Sequence, residues 1–280
     1  MNLSLMLFPF HNELTTRKLP PQKLVRDIWQ AGITGLEPML DWVMKNAACW
    51  GELRRAAADL EMSYACLDVI VNLVGRNATD RRTALDVVAR GVDCCAELKC
   101  PYALLADSNA AAGMSNEEGR KLYAEALAKA VERSKGSGVT LTIEDFGMYP
   151  EFACSAGHVL EVLEASGNPN LKVTFDNGNF LMADERPTQC FGRLTSRIVH
   201  VHIKDFALCP PGEKATLRSL AGNGYKDCDI GAGKAETEEC LRLIKASRYA
   251  GWISLEVGAS QPLAGALQGA QYVAEVWSKV

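Results

Sequence analysis

The feature that most restricts how this chain can fold is a repeated switch in the spacing of its apolar residues. The spacing moves between every second residue and every three to four, the signatures of strand and helix. Strand-like runs are Leu3 to Phe8, Ile33 to Glu37, Ala65 to Val71, Tyr102 to Ala106, Val139 to Ile143, Lys172 to Phe175, Ile198 to Ile203 and Trp252 to Val257. Helical patterns alternate with them. The first starts at Pro21, carries Leu24, Val25, Ile28 and Trp29 on one face, and closes at Gly32. The others cover Glu52 to Leu60, Ala84 to Leu98, Asn116 to Ser134, Gly157 to Ala165, Gln189 to Ser196, Glu236 to Ala246 and Gly265 to Trp277. Eight strand–helix units in 280 residues predict an α/β protein, a single (β/α)8 TIM barrel domain over residues 1–280. An open doubly wound sheet is the alternative, because strand signals are weaker in the first half. Ala207 to Lys234 breaks the rhythm with Pro210, Pro211, Gly212, Gly222, Gly224, Gly231 and Gly233, and reads as a long loop after strand seven.

Side chains alternate faces along a strand. In "VTLTIEDF", Thr140, Thr142 and Glu144 share a face; in "KVTFDNGNF", Thr174 and Asp176 do. In "VHVHIKDF" the pair is His200 and His202, and in "WISLEVG" it is Ser254 and Glu256. The apolar residues between them can pack under helices, so these sets point into the barrel. Each inward set ends in a group able to bind a metal: Glu144, Asp176, His202 and Glu256. They stand at the carboxyl ends of four consecutive strands, where barrel enzymes place their active sites. Neighbouring strands are about 4.8 Å apart, so the four can converge on one ion. Three carboxylates and an imidazole suit a hard or borderline divalent cation. Four unrelated internal ion pairs are the alternative.

Composition narrows the rest. A net charge of −4 gives no general attraction to nucleic acid or anionic membranes. The apolar start, Leu3 to Phe10, has no basic region before it, unlike a signal peptide, and no apolar run reaches the roughly 18–20 residues of a membrane span. The ten cysteines contain no C-x-x-C pair, so reduced thiols and a cytoplasmic location are expected.

The motifs "TIEDF", "FDNGNF", "HVHIKDF" and "SLEVG", with the late glycine turn "DIGAGKAE", together resemble the xylose-isomerase-like barrel superfamily. Within it they look like the sugar phosphate isomerase/epimerase group that includes ketose 3-epimerases. The resemblance spans essentially the whole chain and is strongest from Thr142 to Gly258. It implies one divalent ion on Glu144, Asp176, His202 and Glu256, Mn²⁺ first, with Mg²⁺, Zn²⁺ or Co²⁺ as alternatives. It also implies Glu144 and Glu256 as paired acid/base residues. They would move a proton beside the carbonyl of a ketose, keto-sugar or sugar phosphate, through an enediolate stabilised by the metal. The same start could serve a lyase that dehydrates a keto-inositol or dehydroshikimate-like acid, or eliminates from a keto-glycoside. A non-catalytic sugar-binding or scaffold subunit is a third reading. A DNA-repair endonuclease on this fold would need more than four histidines and a basic groove.

Where relatives often carry a histidine, three residues after the strand-six aspartate, this chain has Asn179, which suits a sugar hydroxyl better than a second metal. The long loop is an expected roof, with Arg218 and Lys214 as substrate contacts or as parts of a solvated flap. His200 reads as support for the site or as a buried core histidine. Lys204 could bind a substrate oxygen or phosphate, or pair with Asp205. Glu37 and His11, expected at the mouth, could bind substrate hydroxyls or be ordinary loop and core polar groups. The expected partner is a small carbohydrate, without nucleic acid or membrane, with a homodimer or homotetramer as the expected assembly.

Overall fold

In the computed structural model, which describes residues 1–210, 212–258 and 260–279, the apolar runs become parallel strands. Pro211, counted above among the loop residues, lies outside that set. The barrel strands are β1 (Asn2–Met6), β2 (Gly35–Glu37), β3 (Leu67–Ile70), β4 (Tyr102–Ala106), β5 (Thr140–Glu144), β6 (Lys172–Asp176), β7 (Ile198–Ile203) and β8 (Trp252–Leu255). Their order in the sheet is β2-β1-β8-β7-β6-β5-β4-β3, with Ser63–Tyr64 as an extra short strand beside β2. Between Tyr64 and Leu67 the chain crosses to the other end of this sheet. A parallel bridge from Met39 to Asp68, and the Asp68 N–H on Pro38 O at 2.9 Å, join the two ends. That join makes a barrel, not an open sheet.

Helices cover it from outside. The helix expected from Ala84 starts earlier, at Ala78, because Asn77 caps it: its Oδ1 accepts the Thr79 and Asp80 N–H groups at 2.9 and 3.0 Å. Outward strand residues such as Leu5, Val173, Phe175, Val201 and Leu255 are fully buried against helix residues including Leu24, Ile28, Val159 and Ile244. Each such burial contributes about 1.5–3 kcal/mol, so this outer shell carries the hydrophobic stabilisation. The barrel interior is different. Ser4, Thr142, Thr174, His200, His202 and Ser254 are all buried there, and the Thr142 and Thr174 hydroxyls pair at 2.8 Å. Gly35 is obligatory in this interior, because a Cβ would lie 2.6 Å from Trp252 Cζ3 and 2.8 Å from Ser4 Cβ.

The segment after β7 is more ordered than an irregular loop. Phe206–Leu208, Gly224–Asp227 and Leu217–Arg218 form an antiparallel three-stranded flap. All ten cysteines are free thiols. Among the described residues, no helix is long and apolar enough to cross a membrane.

Candidate metal centre

Glu144 and Asp176 are the last residues of β5 and β6. Glu256 follows β8 directly, its N–H extending the ladder to Ile203 O at 3.0 Å. Asp176 lies opposite His202, whereas Glu144 lies opposite Thr174 and Ser254 opposite His202. The strand tilt of a barrel absorbs these two-residue offsets, and the four side chains meet.

His202 Nδ1 faces Glu144 Oε2 at 3.6 Å, Asp176 Oδ2 at 3.9 Å and Glu256 Oε2 at 3.9 Å. Donor atoms of Glu144, Asp176 and His202 lie within 4.8 Å of one another. The turn after β6 aims Asp176: its Oδ1 accepts the Gly178 and Asn179 N–H groups at 2.8 and 3.0 Å. Its Oδ2 is buried and makes no hydrogen bond, though the Lys204 ammonium stands 3.1 Å away as an ion-pair partner, and His202 Nδ1 is buried with no hydrogen bond. Buried polar atoms without hydrogen bonds are rare and need a cause. Two of them converging with a carboxylate oxygen fit a divalent cation, and the oxygen-rich donor set with one imidazole suits a hard or borderline one.

Glu37 is not at the mouth as expected. It is fully buried, with Oε1 on His202 Nε2 and Oε2 on His200 Nε2, both at 2.9 Å. Burial opposes its charge, yet the two histidines hold its pKa well below the usual carboxylate range. Burial also works against an imidazolium at His202, but Glu37 and Glu144 outweigh it and raise that pKa well above the ordinary value. His200 lies one layer deeper, its ring 5.1 Å from that of His202 and at right angles to it.

Lys204 does not pair with Asp205. Its Nζ lies 2.9 Å from Glu256 Oε1 and 3.1 Å from Asp176 Oδ2. Burial lowers the ammonium pKa, but Asp176 and Glu256 more than restore it, so Lys204 stays charged. Burial and the Asp176 charge together leave Glu256 raised, against the pull of Lys204. Asp205 instead builds the glycine turn, accepting N–H groups from Gly231, Gly233 and Ala235 at 3.0, 3.0 and 2.9 Å and the Thr237 hydroxyl at 3.1 Å.

The remaining expected contacts scatter. Asn179 is buried, and a Cβ on Gly147 would meet its Oδ1 at 2.6 Å, so its amide is wedged against the loop after β5. His11 stacks on Trp42 with ring centroids 4.8 Å apart, its Nε2 buried without a hydrogen bond. Burial lowers its pKa to about 4. Arg218 and Lys214 are exposed on the flap, and Arg218 donates to Gly222 O at 3.2 Å.

Three carboxylates escape the sequence reading. Asp145 accepts the Asp176 N–H at 3.1 Å, bracing the strand that carries this ligand. Asp68 is buried beside Glu37, and burial plus the Glu37 charge push its pKa well up. Asp205 was visible only as a possible partner of Lys204. Backbone N–H groups leave no trace in residue identity, so only the glycine run hinted at what Asp205 binds.

A family model described as xylose isomerase-like TIM barrel matches residues 25–276. A curated relative, inosose dehydratase from Clostridium botulinum, is 27% identical over 108 residues, 36% of this chain and 36% of its own length. The chain therefore aligns with little more than a third of that relative. In structure, the probable 3-DHS dehydratase AsbF from Bacillus anthracis aligns with 98% of this chain and 99% of its own, at TM-score 0.77 and 16% identity. A D-tagatose 3-epimerase-like protein aligns with 100% and 99%, at TM-score 0.76 and 18% identity.

Proposed function

The chain belongs to the xylose isomerase-like TIM barrel family, and within it we propose a divalent-metal-dependent carbohydrate isomerase or epimerase. The substrate class is a ketose, keto-sugar or sugar phosphate. The observation that carries this reading is the placement of two carboxylates, Glu144 and Glu256, at 3.6 and 3.9 Å from one donor atom, His202 Nδ1. Proton transfer between two carbons or two faces needs a base and an acid around one centre.

Glu144, Asp176, His202 and Glu256 would hold a divalent ion, which when bound would supply Lewis-acid polarisation of the substrate carbonyl. Glu144 has no lysine or arginine within ion-pair distance among the described residues and is the better placed base for the adjacent C–H. Glu256 shares its Oε1 with the Lys204 ammonium, and its raised pKa suits the group that returns a proton.

A second reading, a dehydratase, is favoured by Lys204. An ammonium buried beside the proposed proton donor can hydrogen-bond a departing hydroxyl while Glu256 delivers its proton, so the same proton abstraction would end in loss of water. The inosose dehydratase and 3-DHS dehydratase similarities point the same way.

The test is NMR in D₂O on the Mn²⁺-loaded protein with a panel of ketoses, keto-glycosides and inosose. Deuterium entering an α-carbon without loss of water supports the isomerase or epimerase. Loss of water supports the dehydratase instead. Absence of exchange into every substrate, with metal bound, would leave a non-catalytic sugar-binding subunit.

A further inference from the structure

Glu37 sits at the end of β2, with β1 and β8 between it and β7 in the sheet. Its side chain nevertheless reaches both β7 histidines. The inward residues at the levels between are small: Gly35 opposes Ser4, Ser4 opposes Ser254, and Ser254 opposes His202. A bulkier residue at Ser4 or Ser254 would fill the path.

The geometry of the contact decides which nitrogen of His202 is free. A carboxylate oxygen accepts hydrogen bonds and does not donate them when ionised. The two Glu37 oxygens each face one ring nitrogen, Nε2 of His200 and Nε2 of His202, at 2.9 Å. Both Nε2 atoms must therefore carry hydrogen. An imidazole that ligates a metal is neutral and has only one N–H; with that hydrogen held on Nε2, the lone pair of His202 falls on Nδ1, the atom that faces Glu144, Asp176 and Glu256. His200 holds Glu37 from its other oxygen, so the carboxylate cannot swing away. Asp68 packs close, with donor atoms of Glu37, Asp68 and His202 within 4.8 Å of one another.

We propose that Glu37 is a positioning residue: it fixes His202 as an Nδ1 ligand, so that metal affinity is set from a strand that contributes no ligand. This rests on the metal reading of the site. Outer partners of this kind typically change metal affinity by about 10–100-fold.

The test is chelator-competition titration of Mn²⁺ on the full chain, with thermal unfolding recorded on each metal-free protein. Glu37→Ala should bind Mn²⁺ about 10–100-fold more weakly than wild type. Glu37→Gln keeps one accepting oxygen and should fall between, and it serves if the alanine variant does not fold. On the Zn²⁺-loaded wild type, ¹⁵N NMR should show His202 with hydrogen on Nε2 and metal on Nδ1. Wild-type affinity in a folded Glu37 variant, or hydrogen on Nδ1 of His202, overturns this inference alone. A lowered melting temperature with unchanged affinity also overturns it, since that is a structural role. A wild-type chain that takes up no divalent ion overturns the metal reading and this inference together.

Discussion

Lys204 reaches Asp176 across the mouth of the barrel, its ammonium 3.1 Å from Oδ2, the oxygen that also faces His202 Nδ1. The ammonium thus occupies part of the field into which a divalent cation would enter. Lysine and metal compete for the same carboxylates, and the competition gives a measurable signature. Removing a partner from a buried ion pair costs about 3–5 kcal/mol, so Lys204→Met should destabilise the metal-free protein by that order. A divalent ion should then restore more stability than it adds to wild type. The check is the difference in melting temperature with and without chelator, which should widen in the variant. An unchanged difference would mean that Lys204 is not in competition with the ion.

Metal uptake should depend on the two donor atoms left without hydrogen bonds. Elemental analysis of wild-type protein should find about one divalent ion per chain, and Asp176→Asn and His202→Ala should each lose it. Stoichiometric metal in both variants would place the ion elsewhere.

The two glutamates should separate from the ligand effects in kinetics. Glu144→Gln and Glu256→Gln are each expected to lower kcat by about 10²–10⁴-fold. Deuterium exchange should be lost most completely with Glu144→Gln, because it removes the base that starts the reaction. Equal exchange in wild type and Glu144→Gln would assign that proton to another group.

Asp205 should matter for order above the barrel more than for chemistry in it. Hydrogen bonds to a charged group contribute about 1.5–3 kcal/mol each, and this carboxylate collects four from residues 231 to 237. Asp205→Asn should therefore cost about 3 kcal/mol or more and expose the turn to protease. Gly233→Ala should act alike, because a Cβ there collides with the Asp205 carboxylate and the Phe206 carbonyl. Limited proteolysis with mass mapping of the cut sites tests both.

Acid sensitivity has a specific contribution from His11. Its pKa falls from 6.5 to about 4 on folding, so between those values the unfolded chain binds more protons than the folded one. Stability then rises with pH through this window and is lost as pH drops from about 6.5 toward 4. His11→Gln should flatten that part of a melting-temperature profile. A wild-type slope in the variant would assign the effect to other groups.

Much of this was legible in residue order. The alternation within the last four strands marked Glu144, Asp176, His202 and Glu256, because inward-facing polar residues on strands are unusual enough to stand out. Glu37 was noticed but misplaced. Its strand has only three residues, too few to show a period, and its partners lie 163 and 165 positions away. The flap was hidden by its glycines and prolines, which signal turns equally well in a disordered loop and in short antiparallel strands. Lys204 was ambiguous because the strand ends beside it, and the face of a side chain past the last ladder bond is no longer fixed by alternation.

The join between β2 and β3 has one further consequence. Elsewhere the barrel staves are held by ladders, but here, among the described residues, they meet through a single bridge at Met39 and Asp68, with Ser63–Tyr64 flanking it on one side. A ring with one thin seam opens there first, and regions with few backbone bonds are the ones that open at low free energy. Glu37 lies on one lip of this seam and Asp68 on the other, both touching the environment of His202. An opening at this seam would therefore be felt at His202, so a divalent ion held there would act as a rivet whose retention reports whether the ring is shut.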